Sequence, residues 1–223
     1  MFEMDVPYDR KRLRVRLPER NVAGVLAGRQ GDYEPDAEQE GLIERAVDGP
    51  HGTPRLDELC RGKRDIVIIS SDHTRPVPSR VAMPILLRRV HAAAPEARVR
   101  ILVATGMHRA STHEELVDKY GEHIVAEEEI VMHVATDDAA MVEVGTLSSG
   151  GACIINRIAA EADLLVAEGF IEPHFFAGFS GSRKSVLPGV ESYKTISTTT
   201  TGSSCTMRGR APACSRETAC TRT

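Results

Sequence analysis

Residues 171–190, IEPHFFAGFSGSRKSVLPGV, bring a histidine, a glycine- and serine-bearing loop and an Arg-Lys pair into one short stretch. Gly178, Gly181 and Ser182 leave room for close backbone approach, and backbone N–H groups at a strand-to-helix turn suit a phosphate. Lys184 stands just past that loop, where its amine can act as a point charge on phosphate or as a covalent anchor. His174, ten positions earlier, can serve as acid, base or metal ligand. The plainer alternative is an ordinary strand-loop-helix connection with a solvated Arg-Lys pair.

Two further segments weigh against that alternative. The apolar run DIVIIS, residues 65–70, leads into SDHTRPVPSR, which sets Asp72, His73, Thr74 and Arg75 just past a strand end. The run at residues 99–104 leads into TGMHRAST and sets His108 and Arg109 at the equivalent point. An open parallel sheet presents polar side chains in this way at its carboxyl edge, where ligands bind. Pro76 and Pro78 suit the start of the next helix and stiffen the turn that carries Arg75. Three loops are therefore expected to converge with Arg75, His108, His174 and Lys184.

The segments DHTRPVP, TGMHR and EPHFFAGFSGSRKSVLPG together resemble the signature segments of the nickel-dependent lactate racemase family, enzymes that use a nickel-pincer nucleotide. The resemblance covers residue 1 to about residue 196. It implies nickel pyridinium-3,5-bisthiocarboxylic acid mononucleotide as cofactor, held covalently through a thioamide at Lys184. It also implies that His108 and His174 are the acid/base pair, one for each enantiomer. Arg75 would clamp the substrate carboxylate or polarise the reacting oxygen, and Asp72 would help to hold the cofactor. The loop with Gly178, Gly181 and Ser182 would lie near the nucleotide phosphate. The implied partners are a small 2-hydroxy acid, lactate foremost, and the enzymes that build the cofactor.

These residue types match the chemistry. Removing the Cα proton of a 2-hydroxy acid is hard, because the adjacent carboxylate opposes a second negative charge. Moving hydride to an electrophilic cofactor avoids the carbanion and leaves a planar keto acid, and hydride return to the other face inverts the centre. A base is then needed at the hydroxyl for each enantiomer, and two histidines suit that task near neutral pH. An arginine offers a fork of donors that a planar carboxylate matches. The hard electronics belong to the cofactor. The same sequence also admits an alternative, a nucleotide-binding fragment of such an enzyme that keeps the lysine loop but does not turn over.

The 223 residues suffice for one substantial α/β core. No apolar run approaches a membrane span, and MFEMDVPYDR lacks the apolar stretch of a signal peptide, so a cytoplasmic protein is expected. A formal charge of −4 gives no reason to expect nucleic acid. Cys60 and Cys153, each with apolar neighbours, suit core packing, whereas Cys205, Cys214 and Cys220 are spaced unlike a zinc ribbon. The carboxylates Glu127, Glu128 and Glu129 read as a solvated turn rather than a metal site, and His113, His123 and His133 as structural.

The elements that must position the site alternate. Strands are expected over residues 12–18, 65–70, 99–104, 130–135, 141–144 and 162–167, with a short strand or turn at 21–28. Helices are expected over residues 38–47, 78–94, from Thr112 with a capping box to Glu115, and over 152–160; Pro84 should kink the second or delay its start. This order predicts an α/β fold with a Rossmann-like, mostly parallel sheet and flanking helices. Residues 1–196 are assigned to one cofactor-binding domain, and the family's C-terminal domain is taken as absent.

Residues 197–223 form an irregular tail without Val, Ile, Leu, Phe or Tyr, which cannot supply a packed element of its own. The family resemblance implies an Asn-His pair there, its histidine a nickel ligand. This chain has Thr199 and Thr200 instead, so no protein metal ligand is assigned. A shifted reading frame near residue 198 would restore a family-like continuation and is the expectation for this segment, a genuine disordered tail being the alternative.

Overall fold

In the computed structural model the described residues are 1–9, 11–28, 32–174, 178–181 and 183–199. They fall into two compact units, divided after Glu38.

The first unit is a β-hairpin followed by irregular chain. Strand β1 (Phe2–Tyr8) pairs antiparallel with β2 (Lys11–Leu17), from Phe2 opposite Leu17 to Tyr8 opposite Lys11. Cross-strand ion pairs follow from the register: Arg14 donates to both oxygens of Asp5 at 2.9 and 3.1 Å, and Arg16 meets Glu3 at 3.0 Å. The strand β1 was not anticipated, although Phe2, Glu3, Met4, Asp5 and Val6 alternate apolar with acidic residues as a strand does. Residues 22–28 form neither the expected strand nor a turn; a 3-10 helix at Glu19–Asn21 leads into irregular chain that begins extended at Val22.

The second unit is built on a four-stranded sheet in the order β5-β4-β3-β8. Strand β3 (Asp65–Ser71) is central, flanked by β4 (Arg98–Ala104) and β8 (Leu164–Ala167), with β5 (Glu129–Met132) at the edge. Every pairing is parallel, with Ser71 opposite Ala104 and Ile69 opposite Ala167. Side chains alternate between faces: Ile66 and Ile68 enter one apolar cluster with Val99, Ile101 and Val103, whereas Val67, Ile69 and Leu102 enter another with Ala159 and Val190. Both faces are covered, as parallel strands require. Each fully buried side chain of β3 contributes about 1.5–3 kcal/mol.

Helices α1 (Gln39–Asp48), α2 (Leu56–Cys60) and α3 (Ser79–Ala93) precede or follow β3. Cys60 is fully buried in the first cluster, as its neighbours suggested. Helix α3 starts at Ser79 and runs through Pro84, whose missing N–H falls within its first two turns. Helix α4 (His113–Tyr120) carries the expected capping box: Thr112 Oγ1 accepts from Glu115 N at 3.2 Å, and the Glu115 carboxylate accepts from Thr112 N at 2.8 Å. The short α5 (Glu122–Glu127) follows; Glu129 then pairs with Arg98 across the strands, so the acidic run is a surface feature.

One expectation fails in this unit. Residues 152–160 are not one helix: Ala152–Asn156 is strand β7, antiparallel to β6 (Met141–Thr146), and only Arg157–Ala160 is helical, as α6. The adjacent β-branched pair Ile154 and Ile155 favours a strand. Asn156 then ends it, its side chain accepting from Ile158 N at 3.0 Å as an N-cap. The remaining elements are β9 (Pro173–His174), β10 (Gly178–Phe179), α7 (Arg183–Val186) and α8 (Tyr193–Thr199).

Candidate active site

Strands β3, β4 and β8 end side by side, so the chain leaves the sheet at Asp72, Thr105 and Glu168 along one edge. A cavity of about 300 Å³ opens there, lined among others by Asp72, Arg75, His108, His174, Gly181 and Lys184. That volume lies at the lower end of the range for small-molecule sites, about 300–1,000 Å³.

The first loop is set by its own aspartate. Asp72 Oδ1 accepts from Thr74 N at 3.0 Å and from Thr74 Oγ1 at 2.6 Å, an Asx-type turn that folds the DHTR segment back on itself. Thr74 Oγ1 in turn accepts from Arg75 Nη1 at 2.9 Å, which ties the guanidinium to the same turn. The other oxygen, Asp72 Oδ2, meets His108 Nδ1 at 2.5 Å. Burial pushes the Asp72 carboxyl up, but the hydrogen bonds from Thr74 and His108 outweigh it and hold the group below its usual range. Asp72 stays an anion, and its charge favours the His108 tautomer with hydrogen on Nδ1, leaving the lone pair of the neutral ring on Nε2.

The second loop is pinned from three sides. His108 N donates to Thr105 O at 2.8 Å across a tight turn in which Gly106 has φ +54°; Gly106 N donates to Gly189 O at 2.9 Å, and Thr105 Oγ1 to His133 O at 2.6 Å. Glu115 links the rims of both loops: it takes a two-pronged bond from Arg109 at 2.6 and 2.7 Å and lies 3.6 Å from His73 Nε2. His73 Nδ1 bonds Ser111 Oγ at 3.0 Å, an orienting place rather than one at the cavity.

The third loop carries His174 on a two-residue arm. His174 stands opposite Gly178 in the β9-β10 pairing, and Ser180 N donates to Glu172 O at 2.9 Å to extend it. Gly178 thus backs the histidine instead of lining the cavity. Desolvation and the nearby cations Lys184 and Arg75 push His174 below the usual histidine range, against a weaker pull from Glu172. The ring is therefore neutral near pH 7, the form that accepts a proton. Gly181 has φ +70°, and a Cβ there would come 2.8 Å from Phe170 O, so only glycine fits. Lys184 N donates to Gly181 O at 3.0 Å as α7 begins, which seats the lysine beside this turn. Ser182, Thr200 and the cysteines of the tail lie outside the described residues.

Glu168 was missed by the sequence analysis, although the strand-end rule that singled out Asp72 applies equally to the residue after Ala167. It lines the same cavity at 7% exposure. Ser70 Oγ and Ser79 Oγ each donate to its Oε1 at 2.5 Å, and Tyr120 OH donates to Ser70 Oγ at 2.7 Å.

The fold and cavity define a parallel α/β domain with a small-molecule site at the carboxyl edge of its sheet. Within that class, the chain belongs to the lactate racemase N-terminal domain family, whose profile matches residues 8–206. It is 61% identical over 196 residues to the lactate racemase of Lactiplantibacillus plantarum and 48% identical over 196 residues to that of Thermoanaerobacterium thermosaccharolyticum. In each case the match covers 88% of this chain and 46% of the relative, so the chain spans about half the length of these relatives. The structure of the lactate racemase apoprotein from T. thermosaccharolyticum superposes with a TM-score of 0.87 at 42% identity, over 99% of this chain and 51% of that one. A Thermotoga maritima protein matches at a TM-score of 0.60 and 23% identity, over 74% of this chain and 41% of that one, a likeness of fold alone. No helix among the described residues is long and apolar enough to cross a membrane.

Proposed function

We propose that this chain carries the cofactor-binding and acid/base half of a 2-hydroxy-acid racemase or epimerase, with lactate the leading substrate and the chemistry a hydride transfer to a lysine-linked nickel-pincer nucleotide. The observation that carries the proposal is one cavity lined by two histidines, an arginine and a lysine drawn from three strand-end loops.

The residues present fit a covalently held nucleotide. Lys184 lies beside the Gly181 turn, where the backbone comes close enough to exclude any Cβ. When bound, the nickel-pincer nucleotide supplies an electrophilic carbon that takes hydride and gives it back. The protein supplies position and proton transfer. Arg75 holds the substrate carboxylate through its fork of donors. His108 Nε2, its ring fixed from behind by Asp72, takes the hydroxyl proton of one enantiomer; His174, kept neutral by burial and by Arg75, takes that of the other. On His174 a gained proton is disfavoured by burial and by the Arg75 cation, which favours its return to the product oxygen. On this reading Asp72 acts through His108 more than on the cofactor.

A second reading is favoured by one observation, Thr199 and Thr200 where the family resemblance implies an Asn-His pair. It holds that the chain binds the nucleotide without turnover. No group of three or more His, Cys, Asp or Glu side chains that could hold a metal ion occurs among the described residues.

Co-expression with the cofactor-building enzymes separates the two. An intact mass increased by the nucleotide, lost in Lys184→Ala and in Lys184→Arg, together with bound nickel and racemisation of lactate, is the expected result for the first reading. The adduct alone supports the second. No adduct on a folded protein rejects both.

A further inference from the structure

We infer that His133 is a proton-sensitive latch on one wall of the cavity: neutral, it ties the segment from Gly189 to Ile196 to the sheet, and protonated, it lets that segment go. The inference goes beyond the reading above and holds whichever ligand the cavity takes. His133 directly follows β5. Its N–H donates to Val103 O at 3.1 Å and its O accepts from Thr105 Oγ1 at 2.6 Å, so its backbone is fixed to the strand end that carries His108. Its ring, 1% exposed, meets Glu191 O through Nε2 at 3.0 Å and Asn156 Nδ2 through Nδ1 at 3.3 Å. Glu191 stands between Gly189 and Ile196, both of which line the cavity.

The two ring contacts admit one protonation state. A backbone carbonyl only accepts, so Nε2 must carry hydrogen. Asn156 presents its NH2 group to Nδ1, because its Oδ1 caps α6 by accepting from Ile158 N at 3.0 Å. Nδ1 must therefore accept, and the ring is neutral. A proton on Nδ1 sets donor against donor in a buried site. Turning the Asn156 amide over gives up the α6 cap and still leaves the charge dry; moving the ring gives up Glu191 O and gains water. The Glu191 bond is the one lost.

No neighbouring charge cancels this. Burial lowers the ring's proton affinity, and the bond to Glu191 O restores part of it; the Glu191 carboxylate is not among the groups that move it. Glu129 of β5 is engaged by Arg98, Arg157 of α6 by Glu161 and Met141 O, and Lys194 of α8 by Asp138, while Asp137 caps Ala139 N. Burial pushes the Cys153 thiol of β7 up, so it stays neutral. The segment is also held by Ser192 N to Ile154 O and Tyr193 N to Ala135 O, each at 2.8 Å, and these two amides report its opening.

Hydrogen exchange followed by NMR on the cofactor-free chain is the test, read as protection factors of the Ser192 and Tyr193 amides at about pH 7.5 and about pH 5.5. Wild type should lose protection about five- to tenfold on acidification, the range for a histidine held neutral while latched and titrating near 6.5 once released. The β3 amides should stay at least about tenfold better protected, because the opening is confined to the segment. His133→Gln keeps a donor for Glu191 O and cannot titrate, so its protection should not follow pH. Asn156→Asp keeps the α6 cap and turns the facing donor into an acceptor, so acidification should leave protection unchanged or raise it. A wild-type loss below about twofold overturns the inference, as does equal protection of the segment and β3. A wild-type pH response in whichever of the two variants folds overturns it as well.

Discussion

Asp72 and His108, 36 positions apart, form a carboxylate–imidazole pair with 2.5 Å between Oδ2 and Nδ1. The carboxylate is 2% exposed and the ring 44%, so the acid is fixed inside the protein and the imidazole projects from it toward the cavity. The pair is possible because β3 and β4 are parallel neighbours in register, which brings the residue after Ser71 close to the turn after Ala104. A lone histidine on a loop would rotate and exchange tautomers; this one is held by the sheet.

Removing the carboxylate should therefore release the ring. In Asp72→Ala, nitrogen NMR of His108 at a pH where the ring is neutral should show a shift from the Nδ1–H form toward the Nε2–H form that free imidazole favours. In cofactor-loaded protein Asp72→Asn should lower racemisation by about 10²-fold or more, the scale of a misplaced general base. An unchanged His108 tautomer in Asp72→Ala would remove the orienting role.

A second histidine predicts the acid limb of stability. His133 is 1% exposed, its Nε2 bonded to Glu191 O at 3.0 Å and its Nδ1 facing Asn156 Nδ2 at 3.3 Å. Desolvation pushes it below the ordinary histidine range, and the bond to Glu191 O only partly offsets this. Between the lowered folded value and the unfolded value of about 6.5 the unfolded chain binds more protons. Stability from this residue is thus complete above about pH 6.5 and falls as the pH drops toward the folded value. Urea unfolding at stepped pH should show that slope in wild type and a shallower one in His133→Gln, which cannot titrate.

Much of this architecture was legible in the sequence for a physical reason. Strands buried on both faces are continuous apolar runs, so DIVIIS and its counterpart at residues 99–104 stand out, and the polar residue after each marks the ligand edge. The convergence of Arg75, His108, His174 and Lys184 on one cavity followed from that rule. Pairing partners are less visible. Residues 152–156 find their strand partner only in Met141–Thr146, and β1 finds its own in β2. The Asp72–His108 contact and the Glu168 clasp depend on strand order, which no single segment encodes. Glu168 in particular lies outside the three motifs and is bonded only by residues far along the chain.

Gly189 should be the least replaceable glycine of the site. A Cβ there would lie 2.1 Å from Ser185 O and 3.1 Å from Ala104 Cβ, and its own N–H donates to Lys184 O at 3.1 Å. Gly189→Ala must push the α7 end off β4, at a cost of about 1–3 kcal/mol or more. Gly24, with nothing within 4 Å of its would-be Cβ, serves as the control. Denaturant midpoints compare the two; an unperturbed Gly189→Ala would mean that the close approach relaxes freely.

The two histidines are separated by their half-reactions. If His108 and His174 serve opposite enantiomers, replacing either should stop racemisation in both directions, because every complete turnover uses both. Each single variant should still form keto acid from one enantiomer, the one whose hydroxyl faces the surviving base, and the two variants should show opposite preferences. The motivation is their placement on different loops of one cavity, His108 past β4 and His174 on the β9 arm, with Arg75 on a third. Glutamine replacements keep the volume and remove the base. The measurement is single-turnover keto-acid formation from D- and L-lactate on folded, cofactor-loaded protein carrying the family's full length. Equal loss for both enantiomers in both variants would reject a division of labour and point to a shared structural role. Near-normal racemisation in either variant would remove that histidine from the chemistry, leaving Arg75 and the surviving ring as the acid/base machinery to be tested next.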